Sequence, residues 1–442
     1  MIADSAILDR FAKAFAAREG EVAGARHAPL AAARATAFAD FAARGLPTQK
    51  LEAWKYTSLN PLRDMALVPA PRVAARAAAL PWLLPKGKSH RLAFVNGRLD
   101  AKSSAPGKLP KGARLMSLAE ALEAEPSLLD ESLSRVKSPS ALASLNAAFL
   151  EDGYVLRLED GVVLERPVEL IFLAAPGAEP VAYYPRGLVR LGANARAMLI
   201  EQHVGPDTGA YFADLVADIE LGPGAALGHY KHQAEGAGAV HIATHRVTVG
   251  RGARYESFVL SAGAKVARTE IATALAAPGA SCRLDGAYFG RGRQAIDNTT
   301  SIDHLAPDTS SRETYKGVLD EGARGVFQGR IEVHPGADRT DGRQTCRTLL
   351  LSNGAEIDAK PELLIYADDV KCAHGAAAGA LDGDALFYLR SRGIPEPEAR
   401  RMLVEAFLAD AVAGIARDEV RGAFGRIVAG WLGAGTPASA VE

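Results

Sequence analysis

The pattern of apolar and polar positions divides the N-terminal third of the chain into three stretches. Up to about residue 60, apolar residues recur every three to four or seven positions: Ile7, Phe11, Phe15 and Val22. This spacing predicts an amphipathic helix. Residues 61–115, rich in Pro, Ala and Lys, predict irregular structure with one strand at Arg91–Asn96. Residues 116–150 return to a helical pattern.

From about residue 153 the pattern changes to short β-prone runs separated by Gly turns, such as YVLRLE, VELIFLAA, AMLIEQHV and HIATHRVTVG. Gly-Ala steps recur at first every roughly 27 to 32 residues and, after one longer gap, at roughly half that spacing, with no helical pattern between them. They begin at Gly192, Gly224, Gly252, Gly279, Gly322, Gly336 and Gly354. A recurring strand–turn–strand unit predicts a parallel β-helix. The alternative is a β-sandwich with Gly-rich hairpins, but Asn-Gly and Asp-Gly hairpin dipeptides are scarce here.

After about residue 380 the helical period returns. Asp384 is a candidate cap for the first helix, and Gly393 with Pro395 predicts a break that divides the run into two helices. The expected domains are therefore an N-terminal helical and irregular region, a β-helix core, a C-terminal helical domain and a disordered tail. Their expected bounds are 1–150, 151–380, 381–435 and 436–442.

Composition narrows the class of protein. The 442 residues carry a formal net charge of -1, so there is no basic stripe of the kind that nucleic-acid binding needs. The three cysteines form no CxxC pair, and their odd number argues against a secreted disulfide framework. The N-terminus lacks the apolar run of a signal peptide, and no uncharged apolar stretch approaches membrane-spanning length. These features predict a cytoplasmic protein that contacts neither membrane nor nucleic acid.

The common nucleotide motifs are missing. The only Gly-Lys-Ser, at Gly87-Lys88-Ser89, has Trp82 five positions before it where a P-loop needs Gly, so no ATP binding by that route is expected. No G-x-S-x-G elbow, HExxH or G-x-G-x-x-G fingerprint stands out either.

Four histidines lie close together in sequence, at His229, His232, His241 and His245. Residues three apart on a strand face opposite sides, and residues four apart lie some 13 Å from each other. Solvated or stacked solenoid histidines are therefore favoured over a metal site. His304, Glu332 and His334 are likewise interpreted as structural or surface groups.

Cys372 and His374 form the most distinctive pair. Two residues apart in an extended segment, their side chains leave the same face. A thiolate beside an imidazole suits iron, zinc or copper(I), but two ligands do not make a closed site. The pair is either a half-site completed by another chain or a buried Cys beside a turn His. Cys282 and Cys346 are expected to be buried thiols.

Two long runs resemble a known family. Arg339–Phe407, which contains DDVKCAHGAAAGALDGDALFYLRSRGIPEPEARRM, resembles the core signature of the SufB/SufD family of iron–sulfur cluster assembly scaffolds. Gly45–Leu59 (GLPTQKLEAWKYTSL) resembles the N-terminal motif of its SufD branch. Because the β-region agrees as well, the resemblance covers nearly the whole chain. The WKYTSL motif and the lack of any cysteine before Cys282 favour SufD over SufB.

The resemblance implies a right-handed parallel β-helix flanked by helical regions, mainly β in class. It further implies a non-catalytic scaffold that forms a heterodimer with SufB, docks the SufC ATPase and binds no nucleotide itself. A transient iron–sulfur cluster would be shared with SufB, with His374 and the neighbouring Cys372 at the assembly site. The residues expected to dock SufC are Phe387, Tyr388, Arg390, Arg392, Gly393 and Ile394.

Three alternatives stay open. The chain could be a purely structural partner of SufB and SufC without contact to iron, and it could pair with itself when expressed alone. A polysaccharide-active β-solenoid enzyme is more remote, because no ladder of carboxylates recurs at the coil period.

Overall fold

Two long β-sheets form the centre of the molecule. The computed structural model describes residues 2–18, 20, 22–73, 80–125 and 140–434. The strands are β1 Val68–Pro69, β2 His90–Val95, β3 Arg98–Leu99, β4 Ala113–Ser117, β5 Gly153–Leu158, β6 Val168–Leu173, β7 Val181–Tyr183, β8 Arg186–Leu191, β9 Arg196–Val204, β10 Tyr211–Leu221, β11 Ala226–Ala234, β12 Ala239–Val249, β13 Arg254–Ser261, β14 Val266–Leu275, β15 Ser281–Gly290, β16 Ala295–His304, β17 Ser310–Leu319, β18 Arg324–Val333, β19 Thr340–Leu350, β20 Glu356–Ile365 and β21 Val370–Gly379.

From β8 onwards the chain alternates between the two sheets, which gives a β-solenoid of about eight coils. Sheet A runs β20-β18-β16-β14-β12-β10-β8-β5-β4, with β1 and β7 beside this path, and sheet B runs β21-β19-β17-β15-β13-β11-β9-β6-β2-β3. Successive strands of a sheet pair in parallel, one coil apart. The predicted parallel β-helix is therefore confirmed, and the β-sandwich alternative is wrong. The predicted strand at Arg91–Asn96 is β2.

The Gly-Ala steps lie at the corners between the sheets. Gly224, Gly252, Gly279 and Gly336 have φ between +61° and +80°, a conformation that glycine adopts without strain. In successive coils the Gly224 amide donates to the Arg251 carbonyl, and the Gly252 amide donates to the Pro278 carbonyl. The corners therefore stack in register, as the regular spacing of these steps predicts.

The helices are α1 Ile2–Arg18, α2 Ala28–Arg44, α3 Asn60–Asp64, α4 Leu118–Ala124, α5 Ala141–Ala148, α6 Gly383–Ser391, α7 Glu396–Ala413 and α8 Asp418–Ala434, with a 3-10 turn at Glu52–Trp54. The N-terminal helical pattern covers two helices, and Val22 lies in the segment between them. Apolar residues of α1, α2 and α5 pack with the outer face of sheet A, where Phe11 and Phe41 join a buried cluster with Phe212 and Ile242.

The C-terminal helices pack on the outer face of sheet B. Leu408 of α7 and Phe424 of α8 share a buried cluster with Phe258 and Phe289. The predicted break at Gly393 and Pro395 is present, but a second break at residues 414–417 makes three helices rather than two. The first of them, α6, is capped by Asp382 and not by Asp384. The predicted disordered tail, 436–442, lies outside the described residues. No helix in the described ranges has the length and apolarity needed to cross a bilayer.

Candidate functional site

The last coil of the solenoid has an open end. Strands β20 and β21 each pair with a single strand of the preceding coil, β18 and β19. Nothing in the described part of the chain pairs with their other edges, so N–H and C=O groups on those edges are free to bind another chain. Most residues of β21 are exposed, in contrast to the buried strands of the middle coils. This coil is therefore the natural place for an interface.

Cys372 and His374 lie on β21 in this open coil. The strand register sets Cys372 beside Gly342 and His374 beside Gln344, so both continue the inward-facing row of β19. A methyl group at Gly342 would lie 3.6 Å from the Cys372 Sγ. Cys372 is half-buried, which raises the pKa of its thiol, while His374 is exposed. The two side chains share one face, as their spacing predicts, and offer two ligand atoms at a surface where a partner could add others.

The other two cysteines are buried, as expected. Burial raises the pKa of Cys346 to about 11, and it raises that of Cys282 further above its ordinary value. Neither thiol is suited to ligate metal near neutral pH, because the thiolate is the ligating form. Cys372 is therefore the most accessible of the three thiols.

Helix α6 begins four residues after β21 ends and has no buried residue. Phe387 and Tyr388 are 73% and 56% exposed. The guanidinium of Arg392 lies over the Tyr388 ring at 5.1 Å, and Arg390 pairs with Glu396 at 3.3 Å. Gly393 has φ +85° in the turn before Ile394. The residues expected to dock SufC thus form one exposed aromatic and basic surface.

Three of the four clustered histidines are in the solenoid interior, and His232 is buried against α8. Of the two expected forms, solvated or stacked histidines, the solvated one is therefore wrong: the rings pack against one another inside the solenoid. His229 on β11 of sheet B and His245 on β12 of sheet A approach across the interior, with ring centroids 4.7 Å apart. Both point toward the buried carboxylate of Glu201 on β9, at 3.2 Å and 3.9 Å respectively. The objection that His241 and His245 are distant along one strand does not apply, because the cluster forms between strands.

The surroundings of this interior cluster shift the pKa values of its ionisable groups. Burial lowers the pKa of His245 well below its ordinary value, so this imidazole is neutral. Burial alone would raise the pKa of Glu201, but contact with His229 and His203 holds it well below the ordinary range. Farther along, Lys231 lies 2.9 Å from the Nε2 of His241, whose Nδ1 lies 2.8 Å from Glu235. The cluster therefore holds ionised carboxylates beside at least one neutral imidazole.

The remaining candidate residues have simpler environments. His304 is buried and hydrogen-bonded to the hydroxyl groups of Thr309 and Ser311, which confirms a structural role. Glu332 and His334 lie with Asp303 on the outer surface of sheet A, where His334 is 3.7 Å from Glu332. This group is partly exposed, as expected for surface residues.

The N-terminal motif is docked on sheet A. The Trp54 ring lies 4.3 Å from the buried guanidinium of Arg268. Arg268 also pairs with Asp297, which accepts a further hydrogen bond from Thr57. Glu52 reaches Lys360 on β20 at 2.6 Å. The motif thus anchors the N-terminal region along the solenoid up to its last coil.

Comparison with known proteins agrees with this architecture. Residues 6–170 match the family described as "SufBD protein N-terminal region", and residues 173–407 match "SUF system FeS cluster assembly, SufBD core domain". The chain belongs to the SufBD family. It is 31% identical to an iron–sulfur cluster assembly SufBD family protein of Synechocystis over 82% of each chain. It is also 31% identical to the iron–sulfur cluster assembly protein SufD of Escherichia coli, over 85% of this chain and 86% of that one.

A third relative, the iron–sulfur cluster assembly protein SufD of Bacillus subtilis, is 27% identical over 61% of this chain and 62% of its own length. A role in iron–sulfur cluster assembly follows from membership of the SufBD family. The SufBD core match runs from the end of β6 to a point within α7 and therefore includes the open coil with Cys372 and His374.

Proposed function

We propose that this chain is the SufD-type scaffold subunit of a complex with SufB and the SufC ATPase, acting in the cytoplasm without catalytic chemistry of its own. In this proposal the open coil binds SufB, and His374 and Cys372 contribute to building a transient iron–sulfur cluster at that interface. The observation that carries it is the position of the two ligand side chains beside unpaired strand edges on the last coil.

The character of the coil supports an interface with a second protein. Strand β21 ends in His374-Gly375-Ala376-Ala377-Ala378-Gly379, whose small side chains allow another backbone to approach closely. Unpaired edges of two adjacent ten-residue strands could extend both sheets into a partner. Two ligands are too few for a closed tetrahedral site, so a partner would have to supply the rest. The cluster is the cargo of this site.

The connection between the coil and α6 supports coupling to an ATPase. Only residues 380–382 separate β21 from α6, so a force on the exposed surface of α6 would act directly on the strand that carries His374. SufC would hydrolyse the nucleotide, and closure of its dimer would open or close the assembly site. This chain would bind no nucleotide in that cycle.

Replacing His374 by Ala is the test of the assembly role. The full chain, co-purified with SufB and SufC, would be loaded anaerobically with iron and sulfide and followed by visible absorption. We expect the complex to stay intact and to retain far less cluster. Loss of a group that only orients a metal ligand already lowers metal affinity about 10- to 100-fold, so loss of a ligand should lower retention at least as much. Lys371→Ala is the matched control, since it removes an exposed side chain of the same strand.

The outcomes separate the two functions under consideration. Loss of the cluster in an intact complex supports assembly at His374. A complex that breaks with His374→Ala indicates a purely structural partner, and equal loading of mutant and wild type assigns the chemistry to SufB alone.

Docking of SufC on α6 gives a second prediction. Phe387→Ala should weaken SufC binding by about 2 kcal/mol, roughly 30-fold in Kd, because exposed aromatic residues commonly dominate interfaces. Charge reversal in Arg392→Glu should weaken it too, whereas Arg254→Glu on β13, whose side chain is 64% exposed, serves as a matched reversal outside this surface. Titration calorimetry with purified SufC measures both, and unchanged affinity of Phe387→Ala and Arg392→Glu would refute this docking surface.

A further inference from the structure

We propose that Glu201, His229 and His245 bind a divalent first-row transition-metal ion inside the solenoid, at a site separate from Cys372 and His374. Strands β9, β11 and β12 supply one ligand each, so the ion would tie together three neighbouring strands from both sheets. This inference does not depend on the proposed scaffold function.

The distances between the ligand atoms suit a common ion. Two atoms that each lie 2.0–2.1 Å from zinc can be at most about 4 Å apart. The Oε1 of Glu201 is 3.2 Å from the Nε2 of His229, and its Oε2 is 3.9 Å from the Nε2 of His245. All three residues offer atoms within 4.8 Å of one another, so the imidazoles would have to move inward by up to about 1 Å to bind one ion together.

The environment of His245 is the strongest argument for a metal ion at this site. The ring is fully buried, yet among the described residues neither of its nitrogens has a hydrogen-bond partner. Buried polar groups are seldom left without a partner, because desolvation without compensation is costly. A metal ion between His245 and Glu201 would bind the Nε2 lone pair directly.

Buried hydroxyl groups hold the ligands from behind. The Tyr255 hydroxyl lies 3.0 Å from the Nδ1 of His229, and Tyr154 donates to the Oε1 of Glu201. Such contacts orient metal-bound imidazoles and carboxylates and set which nitrogen faces the ion. Two imidazoles and one carboxylate suit iron(II) or zinc, whereas magnesium and calcium prefer oxygen ligands alone.

Cobalt is the probe for this site, because its visible spectrum reports the ligand atoms. The full chain would be produced in cells supplied with Co²⁺ and washed with a chelator, which strips accessible ions but not a buried one. We expect about one retained Co²⁺ per chain, with d–d bands of nitrogen and oxygen ligands and no thiolate charge transfer. Parallel preparations with Zn²⁺ and, anaerobically, Fe²⁺ identify the preferred ion.

Three variants test the assignment. Glu201→Gln and His245→Gln should lose the retained cobalt, and Tyr255→Phe should lower affinity by about 10- to 100-fold. His334→Gln, in the surface group with Asp303 and Glu332, is the matched control and should keep the ion. Circular dichroism verifies that each variant folds. If a ligand variant does not fold, the affinity of Tyr255→Phe for cobalt decides whether the site exists.

The proposal is overturned if the wild type retains no cobalt, or if Glu201→Gln, His245→Gln and Tyr255→Phe retain it as tightly as the wild type. Cys372→Ser and His374→Ala should leave this ion in place. Loss of cluster loading and loss of the interior ion are therefore separate results.

Discussion

Replacing Asp297 by Ala is expected to lower the free energy of unfolding by about 3–5 kcal/mol, the range found when one partner of a buried ion pair is removed. Asp297 and Arg268 pair side by side on β16 and β14, and both are at most 1% exposed. Without the carboxylate, the Arg268 guanidinium stays buried under the Trp54 ring with only the partly exposed Glu270 as a charged partner. Thr57 also loses its acceptor.

Denaturant unfolding of the wild type and Asp297→Ala measures this difference. Asp341→Ala is the matched control: it removes the exposed pair with Arg312, which is 45% exposed, and should cost no more than about 1 kcal/mol. Similar small losses in both variants would show that the buried pair does not hold the N-terminal region in place.

The solenoid could be predicted from sequence because its corners have a strict backbone requirement. Gly224, Gly252 and Gly279 occupy left-handed positions that most residues avoid, so they recur once per coil and mark its period. The shared face of Cys372 and His374 could also be predicted from sequence, because residues two apart on one strand point to the same side. Both predictions depend only on residues that are close together in the sequence.

Predicting the interior cluster would have required the register between strands. Glu201, His229 and His245 meet only because β9, β11 and β12 stack in a particular register, in which Lys231 lies beside Glu201 on the neighbouring strand and His229 lies beside Leu199. Polar residues at inward positions about one coil apart were the available signal. Aligning the strands by their corner glycines would have brought these residues together.

The predicted boundaries of the C-terminal helices were wrong for a different reason. Asp382 and Asp384 are both suitable capping residues by type, and only the backbone decides that the Asp382 carboxylate accepts from the amides of Asp384 and Ala385. The second break, near Gly414, coincides with close packing: a methyl group there would lie 2.6 Å from the Asp285 carboxylate. Tertiary contact with β15, which the helical period does not report, therefore sets where α7 ends.

Replacing Glu313 by Gln is expected to stabilise the protein at neutral and higher pH. Glu313 lies in the solenoid interior, where burial raises its pKa from 4.5 to about 7, despite hydrogen bonds from Thr300 and Gln344. Between pH 4.5 and about 7 the folded state holds a proton that the unfolded state has released, so wild-type stability falls as pH rises through this window. A shift of this size corresponds to roughly 3 kcal/mol, fully lost above pH 7.

Glutamine cannot ionise and keeps an acceptor for the Gln344 amide, which lies 2.6 Å from the Glu313 Oε2. Unfolding of both proteins across this pH range should therefore give equal stabilities at the acid end and a gain of roughly 3 kcal/mol for Glu313→Gln above pH 7. Glu313→Ala should show the same pH-dependent gain from a lower baseline, because it leaves Gln344 without its acceptor. A constant difference between wild type and Glu313→Gln at every pH would mean that Glu313 stays ionised in the folded protein. Glu313 lies beside Gln344, and Gln344 lies beside His374, so the carboxyl group would then place a negative charge two coils below the open site.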